Sequence, residues 1–207
     1  MRNKANPTSN SDQSNRSRPR KPRNADVRVR EYLTEAELDA LIAAARKSSR
    51  NGFRDATMIM LAYRHGLRVG ELVSLRWDQV NFDRAQLHVN RLKHGDSSVQ
   101  PISGEELRSL RRLRRESPQS AYVFCSERKG PFTERAFHRI VARAGKVAQI
   151  QFPVHPHMLR HSTGFRLAQS GVDTRAIQAY LGHRNIVHTV IYTKLDSERF
   201  KGFSKLL

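Results

Sequence analysis

Four short segments carry side chains suited to phosphate chemistry. The C-terminal part of the chain holds His157-Met-Leu-Arg160, then Leu181-Gly-His183, then Tyr192, and Gly66-Leu-Arg-Val-Gly-Glu-Leu72 lies upstream. Together they supply two arginines, two histidines and a phenol, which is what cutting a DNA phosphodiester without a metal requires. The phosphorane-like transition state gains negative charge and is stabilised by fixed cations on its non-bridging oxygens. Arginine suits that task, because its planar fork donates bidentately and keeps its proton. A tyrosine with a pKa near 10 is ionised in about one copy per thousand at neutral pH, so deprotonating it costs roughly 4 kcal/mol. Neighbouring cations or a base must offset that cost, and the departing 5′-oxygen needs an acid.

The spacing of these residues defines the elements that must hold them. Arg68 follows Gly66-Leu67 at a break between two helices, and Glu71 lies one turn further on. His157 and Arg160, at i and i+3, share one face of a helix that Pro156 is placed to start. Gly182 ends the preceding helix and is expected to expose His183, and Tyr192 follows nine positions later. Zinc is the rival for the histidines, since His155, His157 and His161 are close and two of them stand at i, i+4. Zinc proteases of that spacing place a Glu after the first His, where Met158 stands here, and a lone cysteine offers no Cys pair.

The rest of the chain reads as a mostly helical scaffold. Thr34 with Glu37 forms a capping box ahead of Leu38, Leu41 and Ile42. Further helices are expected over 53–64, 69–76, 105–116, 133–147, 156–169, 174–181 and about 187–192. Residues 86–89 alternate as a strand, 97–102 as its partner, and His94-Gly95-Asp96 as the turn between them. The fold class is mainly α with a small antiparallel β-sheet (α+β). Residues 1–30, rich in Asn, Ser, Arg and Pro, form an expected disordered basic tail that could lie along a DNA backbone or be an inert leader. The domain proper is expected over 31–207.

Composition points to a polyanionic partner. In 207 residues the formal net charge is +19, which repels itself in a compact state unless phosphates answer it. Double-stranded DNA is the leading partner. A ribosomal protein is the plain competitor, and a membrane surface fits less well because no segment pairs a long apolar face with clustered basic residues. Cys125 is the only cysteine, and in Tyr122-Val-Phe-Cys125 it reads as a small buried hydrophobe in a reducing compartment. No signal peptide or membrane span is legible, so a cytoplasmic protein associated with the nucleoid is expected.

The boxes in this order resemble the catalytic domain of the tyrosine recombinases, the phage-integrase family. The stretches 159–162, 182–186 and 188–193 look especially like the short recombinases that invert fimbrial promoter switches. The resemblance implies the tyrosine recombinase catalytic-domain fold and site-specific recombination (integration, excision or inversion) through a 3′-phosphotyrosine on Tyr192. Arg68 and Arg160 would clamp the scissile phosphate, His157 exchange protons, His183 donate a hydrogen bond, and Glu71 orient the site. Lys93, at the hairpin turn, corresponds to the family's mobile lysine that protonates the leaving 5′-oxygen. No cofactor, metal or ATP is implied. The resemblance further implies a homotetramer on paired sites, a monomer being compatible with the free protein, and accessory DNA-bending proteins could replace the family's absent core-binding domain. A type IB topoisomerase-like relaxing enzyme and a non-catalytic DNA-binding protein on the same fold remain the alternatives.

Overall fold

The computed structural model describes residues 30–91, 96–127 and 130–194. The expected tail before Arg30, Lys93 and most of the expected turn (His94 and Gly95) lie outside the described residues. The chain begins with α1 (Glu35–Lys47) and α2 (Gly52–Arg64), followed by the short α3 (Val69–Val73) and a 3-10 turn at Trp77–Gln79. Strands β1 (Val80–Asn81), β2 (Gln86–Val89) and β3 (Ser98–Pro101) come next. Five helices complete the described chain: α4 (Gly104–Glu116), α5 (Glu134–Val147), α6 (Pro156–Gln169), α7 (Thr174–Leu181) and α8 (Val187–Lys194).

Local chemistry sets most of these boundaries. The Thr34 hydroxyl accepts from the Glu37 N–H, while the Glu37 carboxylate accepts the Thr34 N–H at 2.8 Å, closing the capping box of α1. Ser103 and Glu106 repeat the device on α4. Asp173 caps α7 through the N–H groups of Arg175 and Ala176. Helix α3 stops at Val73, short of the expected Arg76. Beyond Ser74 the chain turns extended and pairs with 121–123: Trp77 N–H donates to Ala121 O, and Val123 N–H donates to Leu75 O. That tertiary pairing overrides helical propensity.

The sheet is antiparallel in the order β1-β2-β3, with Leu87 opposite Gln100 and His88 opposite Val99. Leu87 and Val89 are buried while His88 is exposed, as the alternation of a half-buried strand requires. Strand β1, only two residues long, shows no period in the sequence. Helix α2 is buried on nearly every side from Asp55 to Ala62 and packs between α1 and α6, and α1 also packs on α5. The main apolar core gathers Leu41, Met58, Leu61, Leu72, Leu87, Phe124 and Phe137. A second, smaller cluster of Phe165, Ala168, Ile177, Leu181 and Tyr192 seals α7 and α8 against α6. Cys125 is buried, with Sγ 2.8 Å from the Ser120 hydroxyl.

Candidate active site

The site is assembled where the turn after α2 meets the end of α7. Gly66 there has a φ of +56°, and a Cβ on it would stand 2.4 Å from Leu181 Cδ2. Glycine therefore serves both the left-handed turn and the close approach of α7. Arg68 is the N-cap residue of α3, and its side chain is part-buried. Glu71, 4% exposed, accepts the Arg68 backbone N–H at 2.9 Å and its guanidinium at 2.8 Å.

Two further arginines close on the same turn. Arg91 gives Glu71 a second ion pair at 2.8 Å and donates to the carbonyls of Gly66, His65 and Tyr180. Arg160, 1% exposed, donates to Gly66 O at 2.5 Å and Leu181 O at 2.7 Å. Two guanidinium groups thus pair with one carboxylate, and the third is fixed to the same turn through Gly66 O. The buried Arg91 Nε–H has no acceptor among the described residues, and Arg68 lines an open cleft with Gln178, His183, Arg184 and His188. Such a surplus of fixed cations in a partly dry site is a receptor for an oxyanion.

The histidines and the tyrosine stand at the edge of this cluster. Gly182 takes a φ of +65° and ends α7 as expected. His183, however, is buried rather than exposed: the turn folds its ring inward, where Nδ1 meets the Thr189 hydroxyl at 2.9 Å. Tyr192, on α8, is 2% exposed. Its ring lies 6.3 Å from that of His183 and rests on α6 at Gly164, where a Cβ would approach the ring carbons to 2.4 Å. The phenol oxygen lies 3.1 Å from His161 Nδ1. His157 packs its ring edge-to-face on His161, with centroids 4.4 Å apart.

Burial and the arginines set the protonation states. Burial raises the Tyr192 pKa to about 12, although Arg160 and Arg68 pull it back. Burial also lowers the imidazoles: His161 to about 4, helped by His157 and Arg160, and His183 to about 3, helped by Arg160 and Arg68. His157 is lowered as well, by burial and then by Arg160. Burial followed by the charges of Arg68 and Arg91 brings Arg160 to about 9. At neutral pH the imidazoles are therefore neutral, the phenol protonated and the guanidinium groups charged. Glu71 stays ionised: burial raises its pKa, but the Arg68 N–H and the two guanidinium groups outweigh that.

Arg68, Glu71, His157, Arg160, His183 and Tyr192 are thus brought to one place, while Lys93 lies outside the described residues. No group of three or more His, Cys, Asp or Glu suited to a metal occurs among the described residues, and His161 faces the tyrosine. The sequence reading missed two members. Arg91, two residues past the end of β2, stays in phase with the inward-facing Leu87 and Val89, and an arginine in that buried phase demands a buried acid. His161 sits one turn beyond His157, and that spacing was read only as a zinc pattern.

Known proteins place this arrangement in a family. A profile of the Phage integrase family matches residues 31–199. The type 1 fimbriae regulatory protein FimB of Escherichia coli K12 is 38% identical over 183 residues, covering 86% of this chain and 91% of that protein. FimE of the same strain is 39% identical over 179 residues, covering 84% and 90%. The crystal structure of XerA recombinase superposes with a TM-score of 0.71 at 30% identity, over 84% of this chain and 64% of that one. A profile spanning most of the described chain, and relatives this similar over nearly their whole length, make the chain a member of the phage integrase family, the tyrosine recombinases of site-specific DNA recombination.

Proposed function

We propose that this recombinase cuts and rejoins DNA through a 3′-phosphotyrosine at Tyr192, with Arg68 and Arg160 as the clamp on the scissile phosphate. The observation that carries this reading is the gathering of Arg68, Arg91 and Arg160 at one turn beside a tyrosine, with a single carboxylate, Glu71, that pairs with the first two. One negative charge against three positive ones leaves the site short of an anion, and a phosphodiester supplies it. Arg91 is spent on Glu71 and backbone carbonyls, so it holds the turn, while the half-open Arg68 and the fork of Arg160 meet the phosphate. His183 donates to a non-bridging oxygen, His157 takes part in proton exchange, and Lys93 protonates the leaving 5′-oxygen.

Attack by the Tyr192 oxygen on phosphorus forms the Oη–P bond and breaks the P–O5′ bond. The 5′-hydroxyl of another strand later reverses the step. The phosphodiester energy is conserved in the enzyme link, so ATP is not consumed, and the fixed cations carry out the charge neutralisation that a metal provides elsewhere. Four protomers on two paired sites complete an exchange, supported by accessory DNA-bending proteins or by contacts of the basic N-terminal segment with the DNA backbone.

Covalent trapping tests this directly. A pool of nicked duplexes, randomised around the cleavage point, is incubated with the full chain and resolved on a denaturing gel. The wild-type protein yields a 3′-linked adduct and Tyr192→Phe yields none. An adduct that persists in Tyr192→Phe places the nucleophile elsewhere. The trapped sequences then define paired sites for a supercoiled plasmid: a recombinase rearranges it, whereas site-independent relaxation would identify a topoisomerase.

A further inference from the structure

Ionising a phenol whose pKa stands near 12 costs about 7 kcal/mol at neutral pH. Full ionisation before attack is therefore expensive, and the reaction gains from an acceptor already touching the hydroxyl. As the oxygen lone pair moves onto phosphorus the phenolic proton turns acidic, so the acceptor is needed only at that moment. Two histidines, His161 and His183, lie beside the ring and His157 packs behind the first, and their geometry distinguishes them. His183 has Nδ1 committed to the Thr189 hydroxyl. His157 makes its ring contact with His161. His161 points Nδ1 at the phenol oxygen at 3.1 Å.

We propose that His161 is a catalytic residue: it accepts the Tyr192 proton as the phosphotyrosine forms and returns it when the strand is rejoined. The inference rests on the recombinase reading above and deepens it. The Tyr192 O–H donates to Nδ1, so the neutral His161 carries its own proton on Nε2. During attack the proton passes from Oη to Nδ1, the Oη–P bond forms, and the P–O5′ bond breaks. Its electron pair leaves on O5′, which takes a proton from the separate acid. The imidazolium left on His161 has lost no electrons and gives the same proton back in the reverse step. Helix α6 fixes the geometry: His161 directly follows the phosphate clamp Arg160 in the chain, and its ring is braced edge-on by His157. The arriving phosphodiester adds negative charge beside Arg160, one of the cations that hold the imidazole in its neutral form. Binding of substrate therefore moves His161 toward accepting a proton.

The experiment is single-turnover cleavage of a trapped duplex in two versions, one with the ordinary 5′-oxygen and one with a bridging 5′-sulfur. A thiolate departs without an acid, so the sulfur version bypasses defects in leaving-group protonation. His161→Ala is expected to slow both versions by the same factor, roughly 10²–10⁴, the range of general acid–base catalysis, with DNA binding unchanged. Added imidazole is expected to restore part of the His161→Ala rate, and His161→Asn, which accepts a hydrogen bond but not a proton, stays slow. Cleavage by His161→Ala within threefold of wild type would overturn the assignment. So would a defect that vanishes on the sulfur substrate, or a rate that His161→Asn restores and imidazole does not. Failure of the wild-type chain to form any adduct sinks the recombinase reading instead, and the two failures are told apart by that lane.

Discussion

Replacing Glu71 by alanine isolates the charge balance on which the site is built. The carboxylate holds the Arg68 backbone, the Arg68 fork and Arg91 within 2.9 Å. Arg68 is partly open and can turn to water, but the Arg91 side chain is wholly buried and cannot. The substitution leaves Arg91 with backbone carbonyls as acceptors and with Arg160 as a like-charged neighbour. Removing one partner of a buried pair costs about 3–5 kcal/mol, a large part of the roughly 5–15 kcal/mol that keeps a domain folded. For a chain of this size each kcal/mol lowers Tm by about 2–4 °C, so Glu71→Ala is expected to melt about 6–20 °C below wild type. Glu71→Gln, which restores one acceptor without charge, falls between. Sulfate supplies the lost negative charge and is expected to raise the Tm of Glu71→Ala more than that of wild type. Circular dichroism melts with and without sulfate read both effects. A fall of less than about 3 °C, with no differential response to sulfate, refutes the view that one carboxylate balances this cluster.

Gly164→Ala places a methyl within 2.6 Å of three Tyr192 ring carbons, where ordinary contact is about 3.5–4.0 Å. The ring must shift by about 1 Å, so a loss of about 1–3 kcal/mol in stability and roughly 10²-fold in adduct formation is expected. A variant with wild-type melting and cleavage would show that the ring does not sit on α6. Glu106 accepts from His65 at 3.0 Å; burial alone raises its pKa, yet the His65 contact and Ser103 bring it down to about 2. A depressed carboxylate stabilises the fold above its unfolded pKa, near 4.5, and that contribution fades as pH falls toward 2. The difference is about 3 kcal/mol, so the loss in denaturation midpoint between pH 6 and pH 3 is expected to be smaller in Glu106→Gln. An identical acid response in both proteins contradicts the assignment.

The helices that hold the site are legible because their signals are local. Thr34 with Glu37, Pro156 at the start of α6 and Gly182 at the end of α7 each set a boundary through neighbours within four residues. The reading failed where the determining partner is distant in the chain. Helix α3 ends early because the segment after it pairs with residues 121–123. His183 is buried because Thr189 and Tyr192 fold over it. Arg91 reveals its role only beside Glu71, twenty positions away. His161 illustrates a different obstacle. Its spacing from His157 fits both a metal pair and a proton acceptor, and only the position of α8 decides which partner it meets.

The placement of Tyr192 in the smaller core also bears on when it can react. With 2% of its surface exposed, the ring is packed against Phe165, with centroids 5.1 Å apart, and against Gly164. The phenol oxygen must be uncovered before phosphorus can reach it. Burying one large side chain is worth about 1.5–3 kcal/mol, and a hydrogen bond to a charged group about the same. The contacts that a phosphodiester gains with Arg68 and Arg160 are therefore of the right size to balance a shift of α8, which among the described residues packs mainly on α6 and α7 and buries just Thr189 and Tyr192 of its own residues. Had the tyrosine been anchored in the main core among Leu41, Met58 and Phe137, the same shift would have torn a continuous interior. Placing the nucleophile on a light helix over a small cluster lets the clamp stay rigid while the attacking group moves.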